Sequence, residues 1–332
     1  MNGKRKINNG NSSYFIVIFI AIILFALTIF SGFYRSYKVE IIKENKPVNT
    51  NIDQSIKILF VGDMMLDRNV RNIIDKKSFK YFFAGVEDII KSADIAVVNL
   101  EGTFTTNKSV TTVKGSTELK FTFDPGLASA TADLGFDIIG LANNHSSNFG
   151  TLGLNTTRRY VGESGILYYG DPNNKDEIST TIVQNGINVG FVGFHEFSYV
   201  NYNKVFLEIA RLRPLVDILI VTPHWGVEYD KKPTEKQVKW AHEFIDLGAD
   251  AVIGTHSHVI GDIEEYNGKK IFYSLGNFAF DQYFSKETME GLGVVMNINK
   301  RLDHFNINYS MIPIIVDGKG TRVSSSTSPV VD

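Results

Sequence analysis

The chain has 332 residues, 43% hydrophobic and 21% charged, with a net charge of −2. That composition fits one large globular domain or two small ones, and the lack of a basic excess argues against nucleic acid as a partner. Cysteine is absent, which excludes disulfides and thiolate metal sites and leaves His, Asp, Glu or Asn to hold any metal.

Residues 1–13 carry the cluster Lys4, Arg5 and Lys6 and read as a cytoplasmic tail. The uncharged stretch 14–34, "YFIVIFIAIILFALTIFSGFY", is long enough to span a bilayer core at 1.5 Å per residue. The preceding positive charges keep the N-terminus cytoplasmic, although Arg35 and Lys38 weaken the asymmetry. A cleaved signal peptide is the alternative, but the apolar region is too long and no small-x-small cleavage site follows. Either way the remainder is expected outside the cytoplasm, making this a single-pass protein of the cell membrane if the anchor stays. Residues 35–54 are polar and read as a linker. The folded domain is expected over 55–318, and 319–332, ending in "SSSTSPVVD", as a loose tail.

Within the domain, apolar runs at 56–61, 94–98, 136–141, 188–194, 216–222 and 250–253 predict strands. Amphipathic segments at 67–76, 126–134, 151–164, 203–212 and 234–247 predict helices. In the last of these Val238, Trp240, Ala241, Phe244 and Ile245 follow the helical period. Thr234 and Gln237 form a capping box, and Gly248 closes the helix. Near-continuous apolar strands between helices indicate an α/β class in which helices cover sheets. Later runs, "KIFYSL", "GLGVVMNIN" and "HFNINYSMIPIIV", lack helices between them and predict hairpins closing a second or mixed sheet.

Chemistry concentrates where these strands end. "FVGDMMLD" supplies Asp63 and Asp67, and "AVVNLEG" supplies Asn99 and Glu101. "IIGLANNHSSNFG" supplies Asn143, Asn144 and His145, and "LIVTPHWGVEYD" supplies His224 and Glu228. "AVIGTHSHVIGD" supplies His256 and His258, and "FYSLGNFAFDQ" supplies Asn277 and Asp281. Ligands of open α/β sheets bind outside the carboxyl ends of strands. Singly, each group has a plainer reading: a Gly-Asp turn or cap, an Asx-turn, or a semi-buried histidine. Jointly they suit one task, metal-assisted hydrolysis. Neutral imidazoles bind manganese, iron or zinc, and Asp63 and Glu101 neutralise charge; a bridging carboxylate allows one ion or two. Asn99 and Asn277 are placed to orient histidines, and a histidine off the metal can protonate a leaving group. His242 and His304 lack such a context; His195 ends a strand and is a candidate for substrate contact.

Gly-Asp after the first strand, "NLE", "LANNH", "HWG.E", "G.H.H" and "YSLGNF", in this order, resemble the CapA-type capsule and poly-γ-glutamate synthesis protein family over roughly residues 56–315. That family resembles a divergent branch of the calcineurin-like metallophosphoesterases, which implies a two-sheet αββα sandwich. The resemblance implies metal ligation by Asp63, Glu101, Asn144, His224, His256 and His258, with His145 as the leaving-group acid. Asp67, Asn99, Asn143, Glu228, Asn277 and Asp281 are the supporting or substrate-facing residues. Three positions depart. Met65 stands where those enzymes carry a histidine ligand, for which Asp67 is a possible substitute; Asn148 replaces an acidic residue; Ser257 replaces a commoner proline.

The resemblance implies a membrane-anchored, metal-dependent hydrolase or transfer enzyme acting on an anionic cell-envelope polymer, with the bond a phosphoester or an amide. A rival reading is a non-catalytic metal- or polymer-binding subunit of a membrane capsule synthase complex. A general envelope phosphoesterase is the third. Synthase subunits and the membrane are the expected partners beside the polymer.

Overall fold

A computed structural model describes residues 54–323, except 114, 199–201 and 303. The tail, anchor and linker expected over 1–54 lie outside the described residues except for Gln54, which opens the first strand. Among the described residues no helix is long and apolar enough to cross a membrane.

In chain order the strands begin with β1 Gln54–Met64, β2 Ile95–Leu100, β3 Thr103–Phe104, β4 Thr122–Phe123, β5 Ile138–Gly140 and β6 Leu167–Tyr169. Next come β7 Ser179–Gln184, β8 Ile187–His195, β9 Ile218–His224, β10 Ala251–Ile253 and β11 Ile263–Tyr266. The last are β12 Lys269–Phe272, β13 Asn277–Ala279, β14 Glu290–Arg301, β15 His304–Asp317 and β16 Gly320–Val323. An eight-stranded sheet runs β16-β15-β14-β1-β2-β5-β6, with β13 paired to β1. A six-stranded sheet runs β11-β12-β10-β9-β8-β7, and β3 pairs β4 separately. The neighbours β1, β2, β5 and β6 are parallel, as are β8, β9, β10 and β12, so their carboxyl ends share an edge in each sheet.

Alternation along β1 explains the layering. Ile56, Ile58 and Phe60 join a core with Val189, Phe191, Ile220 and Ile253 of the other sheet. Leu59 and Val61 face the other way, onto Val70, Phe82, Phe83, Leu134 and Val161 from helices. The second sheet repeats this, with Val192, Leu219, Val221 and Val252 packed on Val205, Ile209, Trp240 and Phe244. A strand buried on both faces has little polar side to show, hence the near-continuous apolar runs. The result is helices, two sheets and helices, an α/β domain of the expected class.

Helices appear at Arg68–Lys77, Gly126–Leu134, Gly150–Glu163, Tyr202–Leu212 and Glu235–Asp246, within two residues of expectation. The capping box of Thr234 and Gln237 is formed. The late hairpin β14–β15 joins the first sheet beside β1. The boundary at 319 is corrected: Gly320–Val323 forms β16 on β15. Thr321 is buried there and donates to the Phe278 carbonyl at 2.6 Å, which ties down a segment too short and polar to read as a strand.

Candidate metal centre at the strand ends

Parallel register brings the first set of polar groups abreast. Asp63 pairs with Asn99 on one side and Asn277 on the other. Asn99 Nδ2 donates to Asp63 Oδ1 at 2.7 Å, and the His256 N–H donates to Asp63 Oδ2 at 3.1 Å. That second bond ties the two sheets together at the site. Ligand atoms of Asp63, Glu101 and His258 all lie within 4.8 Å of one another, and all three residues are buried. His258 Nδ1 is 3.0 Å from Asn277 Oδ1 and 3.4 Å from Asp63 Oδ2. Asn277 is itself held, donating through Nδ2 to Gln282 Oε1 and the Thr288 carbonyl.

A second convergence lies beside the first. His224 Nε2 is 2.9 Å from Asn144 Oδ1 and 3.1 Å from His256 Nδ1. Ligand atoms sharing one ion at about 2.1 Å stand roughly 3.0 to 3.4 Å apart, so this spacing suits a cation with little rearrangement. Thr255 Oγ1 lies 3.0 Å from His224 Nδ1 and orients that ring. His256 and His258 leave β10 in a loop rather than a strand, at φ of 99° and 57°. Non-glycine residues in this region store backbone strain, and here the strained loop turns both imidazoles inward.

His145 borders both groups. Its Nε2 lies 3.6 Å from Glu101 Oε1 and its ring packs on Phe121 at 4.3 Å. Asn148 Oδ1 accepts the Phe121 N–H at 2.7 Å and faces His145 Nδ1 at 3.0 Å. A carboxamide oxygen accepts only, so Nδ1 carries the proton and Nε2 is open toward the site. Asn148 thus holds this tautomer without the charge an acidic residue would add. Asn143 shapes the same loop: its Oδ1 accepts from the N–H groups of His145 and Ser146, and its Nδ2 donates to Asn99 Oδ1.

Electrostatics follow burial. Burial pushes the Glu101 carboxyl up to about 8, helped by the Asp63 and Glu228 charges. Burial lowers His258, yet the Glu101 and Asp63 carboxylates outweigh it and raise it to about 9. Burial drives His145 down to about 4, His256 to about 3, and His224 well below its usual value. Neutral imidazoles beside carboxylates are a divalent-cation donor set. Glu101 Oε2 is buried with no hydrogen-bond partner, an open lone pair that such an ion would satisfy. These residues therefore fit a divalent ion.

Other expected residues are engaged elsewhere. Asp67 caps the helix Arg68–Lys77, accepting from the Arg68 N–H, from Arg71 Nε at 2.9 Å and from the Thr122 N–H at 3.1 Å. It does not stand in for a ligand at position 65. The Met65 side chain lies in the helix-side core, its sulfur accepting the Asp67 N–H. Asp281 pairs with Arg68 at 3.2 Å and accepts the Asn69 N–H. Glu228 is exposed at the rim. Thr255, Phe121 and Gln282 had no legible signal, since a hydroxyl, a ring and an amide are informative only once their neighbours are known.

A family model described as "Bacterial capsule synthesis protein PGA_cap" matches residues 57–282. The "PGA biosynthesis protein CapA" of Bacillus subtilis (strain 168) is 30% identical over 301 residues, covering 85% of this chain and 76% of that protein. The "Capsule biosynthesis protein CapA" of Bacillus anthracis is 27% identical, covering 85% and 72%. Among solved structures, a hypothetical protein from Thermus thermophilus superimposes with a TM-score of 0.51 at 16% identity, over 78% of this chain and 99% of that one. A phosphatase from Mycoplasma pneumoniae gives 0.51 at 18% identity, over 80% and 95%. At such identities the two structures speak for the fold alone. With the model spanning the strand ends from Asp63 to Asp281, the chain belongs to the bacterial capsule synthesis protein PGA_cap family.

Proposed function

We propose that this protein is a membrane-anchored, divalent metal-dependent hydrolase or transfer enzyme acting on an anionic cell-envelope polymer in capsule or poly-γ-glutamate synthesis. The observation that carries the reading is the gathering of Asp63, Glu101, Asn144, His224, His256 and His258 at the strand ends, with Glu101 Oε2 unpartnered. Manganese, iron or zinc suits these donors, one ion at Asp63, Glu101 and His258 and a second at Asn144, His224 and His256. A bound ion supplies Lewis-acid polarisation and charge neutralisation. The chain's own residues do the rest. Asn99 and Asn277 orient Asp63 and His258, and burial excludes bulk water. An anionic substrate beside His145 raises its basicity, so that Nε2 takes up a proton from water and passes it to the leaving group.

The polymer comes from the family: the Bacillus subtilis and Bacillus anthracis relatives are named for PGA and capsule biosynthesis. Synthase subunits as partners and an extracytoplasmic domain belong to the same proposal, and protease accessibility in intact cells tests the orientation.

The test uses the full-length chain, purified without chelators or a histidine tag. Bound metals are counted by elemental mass spectrometry beside a His256→Ala/His258→Ala variant. Turnover of phosphoester and γ-glutamyl amide substrates is then compared with His145→Ala. One or two equivalents lost in the double variant, and turnover about 100-fold lower in His145→Ala with metal retained, are expected. A parent that binds no metal after supplementation defeats the reading.

Met65 in the core favours a second reading, a metal- or polymer-binding subunit without catalysis. It expects metal and polymer bound by the parent, no turnover of either substrate class, and polymer output unchanged by His145→Ala.

A further inference from the structure

Three neighbouring strand ends carry imidazoles. His195 closes β8 and pairs in parallel register with His224 at the end of β9. His224 is bridged in turn to Thr255, the residue before His256. The His195 backbone is clamped from both sides. Its N–H donates to Asn174 Oδ1 at 2.9 Å, and Asn174 Nδ2 donates to its carbonyl at 2.8 Å. Asn174 is buried at a φ of 50°. Its loop is tied by Asp171, which accepts from the N–H groups of Asn173 and Lys175 and from Arg158.

The ring is held as firmly as the backbone. His195 Nδ1 lies 2.7 Å from the Pro172 carbonyl. A carbonyl only accepts, so Nδ1 carries the proton and Nε2 keeps its lone pair. His195 is 4% exposed, and Nε2 is buried with no hydrogen-bond partner among the described residues. The His195 and His224 rings are 6.0 Å apart, and the His224 and His256 rings 4.7 Å. With metal–nitrogen distances near 2.1 Å, rings on one ion stand roughly 4.5 to 6.5 Å apart. Phe197 packs against both His195 at 5.6 Å and His256 at 4.5 Å, closing the space on that side.

We propose that His195 Nε2 is a further nitrogen ligand of the divalent cation beside Asn144, His224 and His256. The proposal rests on the metal-centre reading above. An Nδ1–H tied to a backbone carbonyl, with Nε2 buried and free, is how proteins hold a metal-binding imidazole. No other described group meets that lone pair. The chain lacks a ligand at position 65, where Met65 turns into the core, and His195 supplies a further imidazole at the strand end next to His224.

The test titrates the chelator-treated, full-length protein with Co²⁺ beside His195→Ala, following the visible bands of bound cobalt. The expected result is affinity weakened by about tenfold or more, with altered bands that added imidazole restores. Unchanged bands and affinity overturn the proposal. So does a raised KM with cobalt binding intact, which assigns His195 to the substrate. If the variant does not fold, ¹⁵N-histidine NMR of the zinc-loaded parent decides. Of the seven histidines, His195, His224, His256 and His258 should show metal-shifted nitrogens; a His195 without that shift refutes the ligand. A parent that takes up no cation is a separate outcome, and it defeats the metal-centre reading itself.

Discussion

With divalent ions removed by a chelator, the protein is expected to lose stability as pH rises from about 6.5 toward about 9, and added metal to restore it. The cause is the buried trio Asp63, Glu101 and His258, with ligand atoms within 4.8 Å. Burial raises Glu101 from 4.5 to about 8, and the carboxylates raise His258 from 6.5 to about 9 against the opposing effect of burial. Both groups hold protons more tightly folded than unfolded. Between the two values the native state binds more protons, so stability falls as pH rises through that window. A divalent ion takes the place of the protons, so metal binding releases them and tightens as pH rises. The shift in melting temperature on adding metal should therefore grow with pH. Glu101→Gln should abolish metal uptake at this trio and make the metal-free profile shallower, because the amide does not titrate and only Asp63 is left to raise His258. Thermal denaturation across the window, with and without metal, checks both. A metal-free profile that does not fall with pH would mean the three groups are not packed together.

Gly62→Ala is expected to destabilise the domain by about 3 kcal/mol or more and to remove metal binding with it. A Cβ at Gly62 would stand 1.9 Å from the Gly276 carbonyl oxygen. That oxygen is backbone, so no rotamer change relieves the clash. The same carbonyl accepts the Asp63 N–H at 3.0 Å, and β13 pairs with β1 at Asp63. Separating the strands would move Asp63 from Asn277, and with Asn277 the partner of His258. Urea unfolding and metal counting read the two effects. A variant with parental stability and metal content would contradict this close approach.

Much of the architecture was legible because it is local. The runs "IKILFV" and "DILIVT" are strands because both of their faces are largely buried, and that leaves a near-continuous apolar record. The helix Glu235–Asp246 announced itself through its capping box and its period. Groups at parallel strand ends were legible too, since parallel strands deliver their ends to one edge. Two-residue strands such as β3 and β4, and the five-residue helices Phe79–Phe83 and Glu87–Lys91, were not, because neither spans enough of a period to leave a pattern.

Side-chain direction, by contrast, was settled only by folding. Asp67 and Met65 sit as close in sequence to Asp63 as any ligand would. One is spent on a helix cap and Arg71, and the other is turned into the core. His195 looked like one strand-end histidine among several until the Pro172 carbonyl accepted a hydrogen bond from its Nδ1–H and left Nε2 open. His256 and His258 point inward because a loop with positive φ is held by a bond from the His256 N–H to Asp63, 193 residues away. Periodicity records whether an element is buried. Where a side chain at its end points depends on partners that are distant in sequence, and only folding brings them together.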